Sequence, residues 1–207
     1  MAHTETIIEG KRWPSVTEIT SILVKKSLAK WREYVGTKEA DRISKEAAER
    51  GTTLHGFVEK FLKGETIVLC GEEEELRPRF KAWFEWWRDS KYRCINQEIK
   101  VLSKKYKYGG TFDALICSDS LTLESTAIND CILVDWKFSN SKDHMRWLQL
   151  AGYAQAYFEE SGIKIKKGMI VRIDKKSKVH VTEVKNIWKY VPLFIACRKL
   201  YDFVNEK

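Results

Sequence analysis

The chain has no Cys-x-x-Cys pair. Its five cysteines stand at 70, 94, 117, 131 and 197, a scatter that offers neither a zinc site nor an iron–sulfur cluster. An odd count, with Cys117 and Cys131 inside apolar runs, is the pattern of reduced, buried thiols in a cytosolic protein. No apolar stretch reaches the roughly 20 residues that span a membrane. The opening Met-Ala-His-Thr-Glu-Thr has neither the charged-then-apolar order of a signal peptide nor the arginines of a transit peptide. A soluble, intracellular, cytoplasmic protein with no membrane partner is expected. Internal repeats are missing, prolines number only three, and no linker interrupts the chain. One domain over residues 1–207 follows, mainly helical over 1–90 and mixed αβ over 91–207.

What is present is enough to build it. At 207 residues and 43% hydrophobic content, the chain can bury one α/β core with a helical cap. Its formal charge is +8, and the excess is local. Between 163 and 189, Lys164, Lys166, Lys167, Arg172, Lys175, Lys176, Lys178, Lys185 and Lys189 outnumber Asp174 and Glu183. Lys100, Lys104, Lys105 and Lys107 form a second group, interleaved with Tyr106 and Tyr108. Such patches attract polyphosphate backbones, or are simply solvated surface.

Along the chain, residues 1–14 read as an extended lead-in. Ser15-Val-Thr-Glu18 is a capping box opening a helix to about Lys30. A second helix runs from about Lys38 to Lys63, with Ile43, Ala47, Leu54, Phe57, Val58, Phe61 and Leu62 as its apolar stripe. Gly51 interrupts it at a cost of about 1 kcal/mol relative to Ala, which asks for close packing or approach of a ligand. Glu72 to Glu75 start a third helix that tolerates Pro78 in its first turn and carries Trp83, Trp86 and Trp87. Those tryptophans suit a core first and stacking against bases second. Strands are expected at about 92–102, 110–117, 131–137 and 168–173, with Lys175–Lys178 turning the last into 178–184. Helices are expected from about Asp143 to Glu160, before Gly162, and from Trp188 to Val204.

The chemistry gathers in 109–137. Two apolar runs there carry acids that a plain core strand would not: Asp113 and Asp135. The period of 2 puts Asp135 and Lys137 on one face and Val134 and Trp136 on the other, and puts Asp113 with Thr111 and Leu115. Two carboxylates and a lysine suit a hard divalent cation, Mg²⁺ or Mn²⁺, beside an anionic substrate. Glu98 lies on the preceding strand, where alternation sets Glu98 and Lys100 opposite Gln97, Ile99 and Val101. His55 borders the apolar stripe of the second helix. Gln149 and Tyr153, spaced i, i+4, share a helix face. Each of these alone is an ordinary structural residue.

Together they resemble the PD-(D/E)XK nuclease superfamily, most closely RecB-type nuclease domains and the mitochondrial genome-maintenance exonuclease group. That order of motifs is met by Arg50-Gly51…His55, Glu98, Gly110-Thr-Phe-Asp113, Asp135-Trp-Lys137 and Gln149-Leu-Ala-Gly-Tyr153. The resemblance implies an α/β core, a central mixed sheet flanked by helices after an N-terminal helical segment. It also implies a metal-dependent deoxyribonuclease, an exonuclease on single strands or DNA ends, with a restriction-type endonuclease or a non-catalytic DNA-binding subunit as alternatives. By the same resemblance, Asp113, Asp135, His55 and the Trp136 carbonyl would hold Mg²⁺ or Mn²⁺. Asp113, Asp135, Lys137 and Glu98 would be catalytic; Gln149, Tyr153, Lys104, Lys105 and Lys107 would contact DNA. The acid before Trp136 is Asp rather than Glu, and the four cysteines of the iron–sulfur branches are missing.

Overall fold

Each element forms for a local reason that can be read off its ends. The computed structural model describes residues 6–8, 10–23, 26–69, 71–118, 130–141 and 145–205. The lead-in contains β1 (Thr6–Ile8) and β2 (Lys11–Trp13), an antiparallel pair. The capping box is made: Ser15 Oγ accepts from the Glu18 amide at 3.1 Å and Glu18 accepts from the Ser15 amide at 2.8 Å. It opens α1 (Val16–Ser21). This helix does not continue to Lys30. Thr20 and Ser21 turn their hydroxyls onto the Thr17 and Glu18 carbonyls, a competition that weakens a helix end. A separate α2 (Lys26–Val35) follows.

Helix α3 (Thr37–Leu62) matches its expected span, but apart from Ala40 near its start the buried residues lie in its second half. Leu54, Phe57 and Val58 are buried, while Ile43 is half-buried and Ala47 exposed. Glu72 to Glu75 form a 3₁₀ turn (Gly71–Leu76) rather than a helical start, and α4 (Arg77–Asp89) then takes Pro78 in its first turn. The sheet follows as β3 (Tyr92–Ser103), β4 (Tyr108–Ser118), β5 (Ile132–Lys137), β6 (Lys167–Ile173) and β7 (Val179–Val184). Between β5 and β6 lies α5 (Arg146–Ser161), which Gly162 ends in a left-handed conformation, φ 72°. A 3₁₀ turn at Ile187–Tyr190 precedes α6 (Val191–Asn205).

The five strands stand in sequence order. Every neighbouring pair is antiparallel except β5–β6, which α5 connects in parallel. Helices α1, α5 and α6 cover one face, packing Ile19, Leu150, Ala154 and Phe194 on Phe112, Leu115 and Leu133. Helices α3 and α4 cover the other, with Leu54, Phe57 and Trp83 on Ala114, Val134, Trp136 and Val171. The protein is therefore α/β, a mixed sheet between two helical layers. Trp83, Trp86 and Trp87 crowd around Trp136 with ring centroids 5.7, 6.0 and 6.2 Å away; Trp83 is buried core, and Trp86 and Trp87 are half-buried against it.

One cysteine expectation is overturned. Cys117 and Cys131 are joined in a disulfide, not reduced. The β4–β5 register pairs Ile116 with Ile132, and one step further brings these two residues face to face with Cα atoms 4.6 Å apart, inside the range a disulfide spans. Of the other cysteines, Cys94 and Cys197 are free thiols, and Cys70 lies outside the described residues. Among the described residues no helix is long and apolar enough to cross a membrane.

Candidate active site

The acids sit where two strands part. Register between β4 and β5 holds from Ile116–Ile132 to Ala114–Val134 and stops there. Beyond it, the Trp136 amide has no partner on the β4 backbone; it donates instead to Asp113 Oδ2 at 2.6 Å. A side chain thus closes the fork that the backbone leaves open. Strand β5 stays in register with β6 to Lys137–Arg172, so its end remains rigid. Alternation works as expected on β5: Lys137 Nζ donates to Asp135 Oδ1 at 2.5 Å, while Val134 and Trp136 pack toward α3 and α4.

Besides a register shift between Cys94 and Asn96 on β3, alternation on β3 and β4 fails at a point inside the site. Gln97 hydrogen-bonds the Glu59 carbonyl of α3, whereas Ile99 packs with the opposite, α5-side cluster. On β4, Phe112 faces the α5 side and Ala114 the α3 side. Gln97 and Ile99 are therefore not on one face, nor are Thr111 and Leu115. On β3 the change of phase falls at Glu98, held at φ 49° within the strand, and β4 changes with it at the paired step. Glu98 falls between the registered pairs Gln97–Ala114 and Ile99–Phe112, across from Asp113. The two acids occupy the switch point.

Helix α3 brings His55 to the same place. Its Nδ1 lies 3.6 Å from Asp113 Oδ1, and its ring stands edge-on to Phe138 at 5.5 Å. From the other layer, α5 brings Gln149 and Tyr153, and α1 brings Ser15 and Thr17. Gln149 Nε2 donates to Thr20 Oγ1 at 3.3 Å. Tyr153 packs on Gly110, where an added Cβ would come 2.8 Å from the tyrosine ring, so this glycine is required. All these groups line one cavity of about 740 Å³. Gly51 lines it too, with nothing within 4 Å of where its Cβ would be; packing does not explain it.

Electrostatically the cavity is a site of unrelieved charge. Burial pushes the Asp113 carboxyl up to about 6, against the pull of the Lys137 ammonium and the Trp136 amide. Burial also raises Asp135, with Lys137 opposing and Asp113 adding. Glu98 is pushed up to about 7, by burial first and then by Asp113 and Glu59. Burial and Lys137 drive His55 down to about 4, so the imidazole is neutral. Asp135 Oδ2 and His55 Nδ1 are buried without a hydrogen-bond partner.

These orphaned atoms are what a divalent cation would satisfy. Among the described residues no group of three or more His, Cys, Asp or Glu side chains is placed to hold a metal ion by itself. The donors at hand are two carboxylates and a neutral imidazole, with the Trp136 backbone beside the His55 ring. Mg²⁺ commonly takes one or two carboxylates and completes its shell with water and substrate oxygens, and an imidazole favours Mn²⁺. In kind, though not as a closed group of three side chains, these donors suit such an ion.

Not every expected residue comes here. Lys104, Lys105 and Lys107 occupy the exposed β3–β4 turn and do not line the cavity. That turn is held by α5 and α6: the Lys105 amide donates to Glu159, and Arg198 donates to the Tyr106 and Lys107 carbonyls at 2.9 and 3.1 Å. Conversely, the cavity contains Lys100, Ser139 and Arg146, which sequence reasoning had not placed in a site. Arg146 could have been found, since 146, 149 and 153 follow the 3–4 spacing of a single helix face.

No family model matches the chain, and no curated protein sequence matches it. Solved structures do. The crystal structure of SSO0001 superposes over 98% of this chain and 80% of its own, at TM-score 0.52 and 15% identity. A structure described as "Putative exonuclease" from Eubacterium rectale superposes over 73% of this chain and 64% of its own, at TM-score 0.50 and 13% identity. The chain thus spans less than two thirds of that second protein. At these identities the likeness is one of fold.

Proposed function

We propose that the protein is a metal-dependent deoxyribonuclease of the PD-(D/E)XK kind, acting as an exonuclease on single-stranded DNA or DNA ends. The observation that carries this reading is the fork between β4 and β5. There Asp113, Asp135 and Lys137 meet beside His55, with Asp135 Oδ2 and His55 Nδ1 unpartnered. The fold likeness to a structure described as an exonuclease agrees with it.

Asp113, Asp135, the Trp136 carbonyl and His55 are the residues that would hold Mg²⁺ or Mn²⁺. When bound, such an ion lowers the pKa of its water and serves as a Lewis acid toward a phosphate. Lys137, held on Asp135, sets a fixed positive charge where negative charge grows on the phosphate during hydrolysis. Glu98, with its carboxyl near 7, is matched to take a proton from an attacking water at neutral pH. Gln149 and Tyr153 form the wall against which the strand would lie.

The test is incubation with end-labelled single- and double-stranded DNA in Mg²⁺, Mn²⁺ or EDTA. Cleavage is expected with either metal, none in EDTA, and a loss of at least about 10³-fold in Asp135→Ala, the scale of removing a main transition-state group. Metal-independent cutting, or full activity in Asp135→Ala, would sink the mechanism. Circular substrates should resist; if they are cut, the enzyme is an endonuclease on the same fold.

A further inference from the structure

The charged residues of the cavity are ordered in space. Glu98, Asp113 and Asp135 lie on β3, β4 and β5, three adjacent strands. Strands are ~4.8 Å apart, so the acids form a row ~10 Å long across the sheet. Two further cations line the same cavity, one from β3 and one from the start of α5. Lys100 is two residues beyond Glu98 on β3, exposed, and lines the cavity; among the described residues its ammonium meets no carboxylate. Arg146 lines the cavity from the start of α5 and is only 7% exposed. Its guanidinium is fixed, donating to Ser139 Oγ at 2.7 Å and the Ser141 carbonyl at 2.8 Å. Lys137 is committed to Asp135.

A row of carboxylates repels a polyphosphate. A phosphodiester can be brought over it only if fixed cations take the neighbouring phosphates. We propose that Lys100 and Arg146 hold the phosphates flanking the one to be cut, so that one nucleic-acid strand crosses the sheet from β3 toward the start of α5. This rests on the nuclease reading, but its test does not need cleavage. Lys100 acts as a point charge and Arg146 as a planar fork, two ways of holding the same group. The lysines at 104, 105 and 107 lie off this path.

A fluorescein-labelled single-stranded deoxyoligonucleotide is titrated with protein in EDTA, and anisotropy gives the affinity between about 50 and 200 mM salt. The slope of log affinity against log salt counts phosphate contacts, about 0.7 per contact on a single strand. Lys100→Ala should make the slope shallower by about that amount, Lys100→Arg should restore it, and Arg146→Gln should match Lys100→Ala. The triple Lys104→Ala, Lys105→Ala, Lys107→Ala variant should keep the wild-type slope. Because Arg146→Gln also removes the brace on 139–141, Lys100 is the deciding arm: it is exposed, and its loss leaves the fold intact. An unchanged slope in Lys100→Ala, a loss confined to the triple variant, or no binding by the wild type overturns the proposal. Binding with the expected slopes but no cleavage in Mg²⁺ would instead overturn the nuclease reading and leave the strand path standing.

Discussion

Asp113 shows how much a single residue can cost the fold. It is 8% exposed, and burial holds its carboxyl near 6 although Lys137 and the Trp136 amide favour the charged form. A carboxyl raised in this way stabilises the fold below its ordinary value near 4, and that stability is lost as pH rises through 6. In EDTA at pH 7.5, Asp113→Asn should therefore melt higher than wild type, by on the order of 2 kcal/mol. The amide oxygen can still accept from Trp136, so the fork stays closed. The gap should close by pH 4 to 5, and cleavage should be absent throughout. His55 works in the opposite sense over the same window: its depressed value gives stability above about 6.5 that is lost as pH falls toward 4. Thermal melts of wild type, Asp113→Asn and His55→Gln across pH 4 to 8 would separate the two. An Asp113→Asn variant less stable than wild type at pH 7.5 would mean that the carboxylate is already compensated.

Elements show which parts of this structure are local in origin. The Asp135–Lys137 pair was legible because it depends only on the period of an extended strand, and Trp136 locks that phase by filling the tryptophan cluster behind it. The helix boundaries at Ser15 and Gly162 were legible for the same reason, each being set by a few neighbouring residues. The reversal at Glu98 was not, since one positive φ in a strand leaves no mark in hydrophobic pattern. Nor was the disulfide, which depends on the β4–β5 register across 14 residues of sequence. Closing a loop of that length is worth about 3 kcal/mol in the chain-entropy account. At roughly 2–4 °C per kcal/mol for a chain of this size, reduction or Cys117→Ala with Cys131→Ala should lower the Tm by about 6–12 °C. Cleavage at 25 °C should be little changed, because the bridge lies toward the end of β4 away from Asp113. A melt insensitive to reductant would show that the register alone holds this end of the sheet.

At the scale of the whole molecule, the site is the place where both helical layers reach the same carboxylates. His55 comes from α3 in one layer, Gln149 and Tyr153 from α5 in the other, and the acids from the sheet between them. The phase reversal at Glu98 and the parting of β4 from β5 open the sheet at this point, so that groups from both sides share one cavity. A cation held there would tie α3 to the ends of β4 and β5, and its binding would be read by the entire fold. A ligand that binds only the folded state at a hundred times its Kd adds about 2.7 kcal/mol of stability. Saturating Mg²⁺ or Mn²⁺ at pH 7.5 should thus raise the Tm by about 5–11 °C, and EDTA should reverse it. In Asp135→Asn and Asp113→Asn the rise should fall to less than half, and both variants should start from a higher metal-free Tm. Lys137→Met should behave differently. Removing the ammonium leaves Asp135 without its partner, so the metal-free protein melts lower, while the cation, no longer competing with Lys137 for Asp135 Oδ1, produces a larger rise. Calorimetry of the four proteins, with and without metal, checks both directions at once. An equal rise in all four would place the ion elsewhere on the protein.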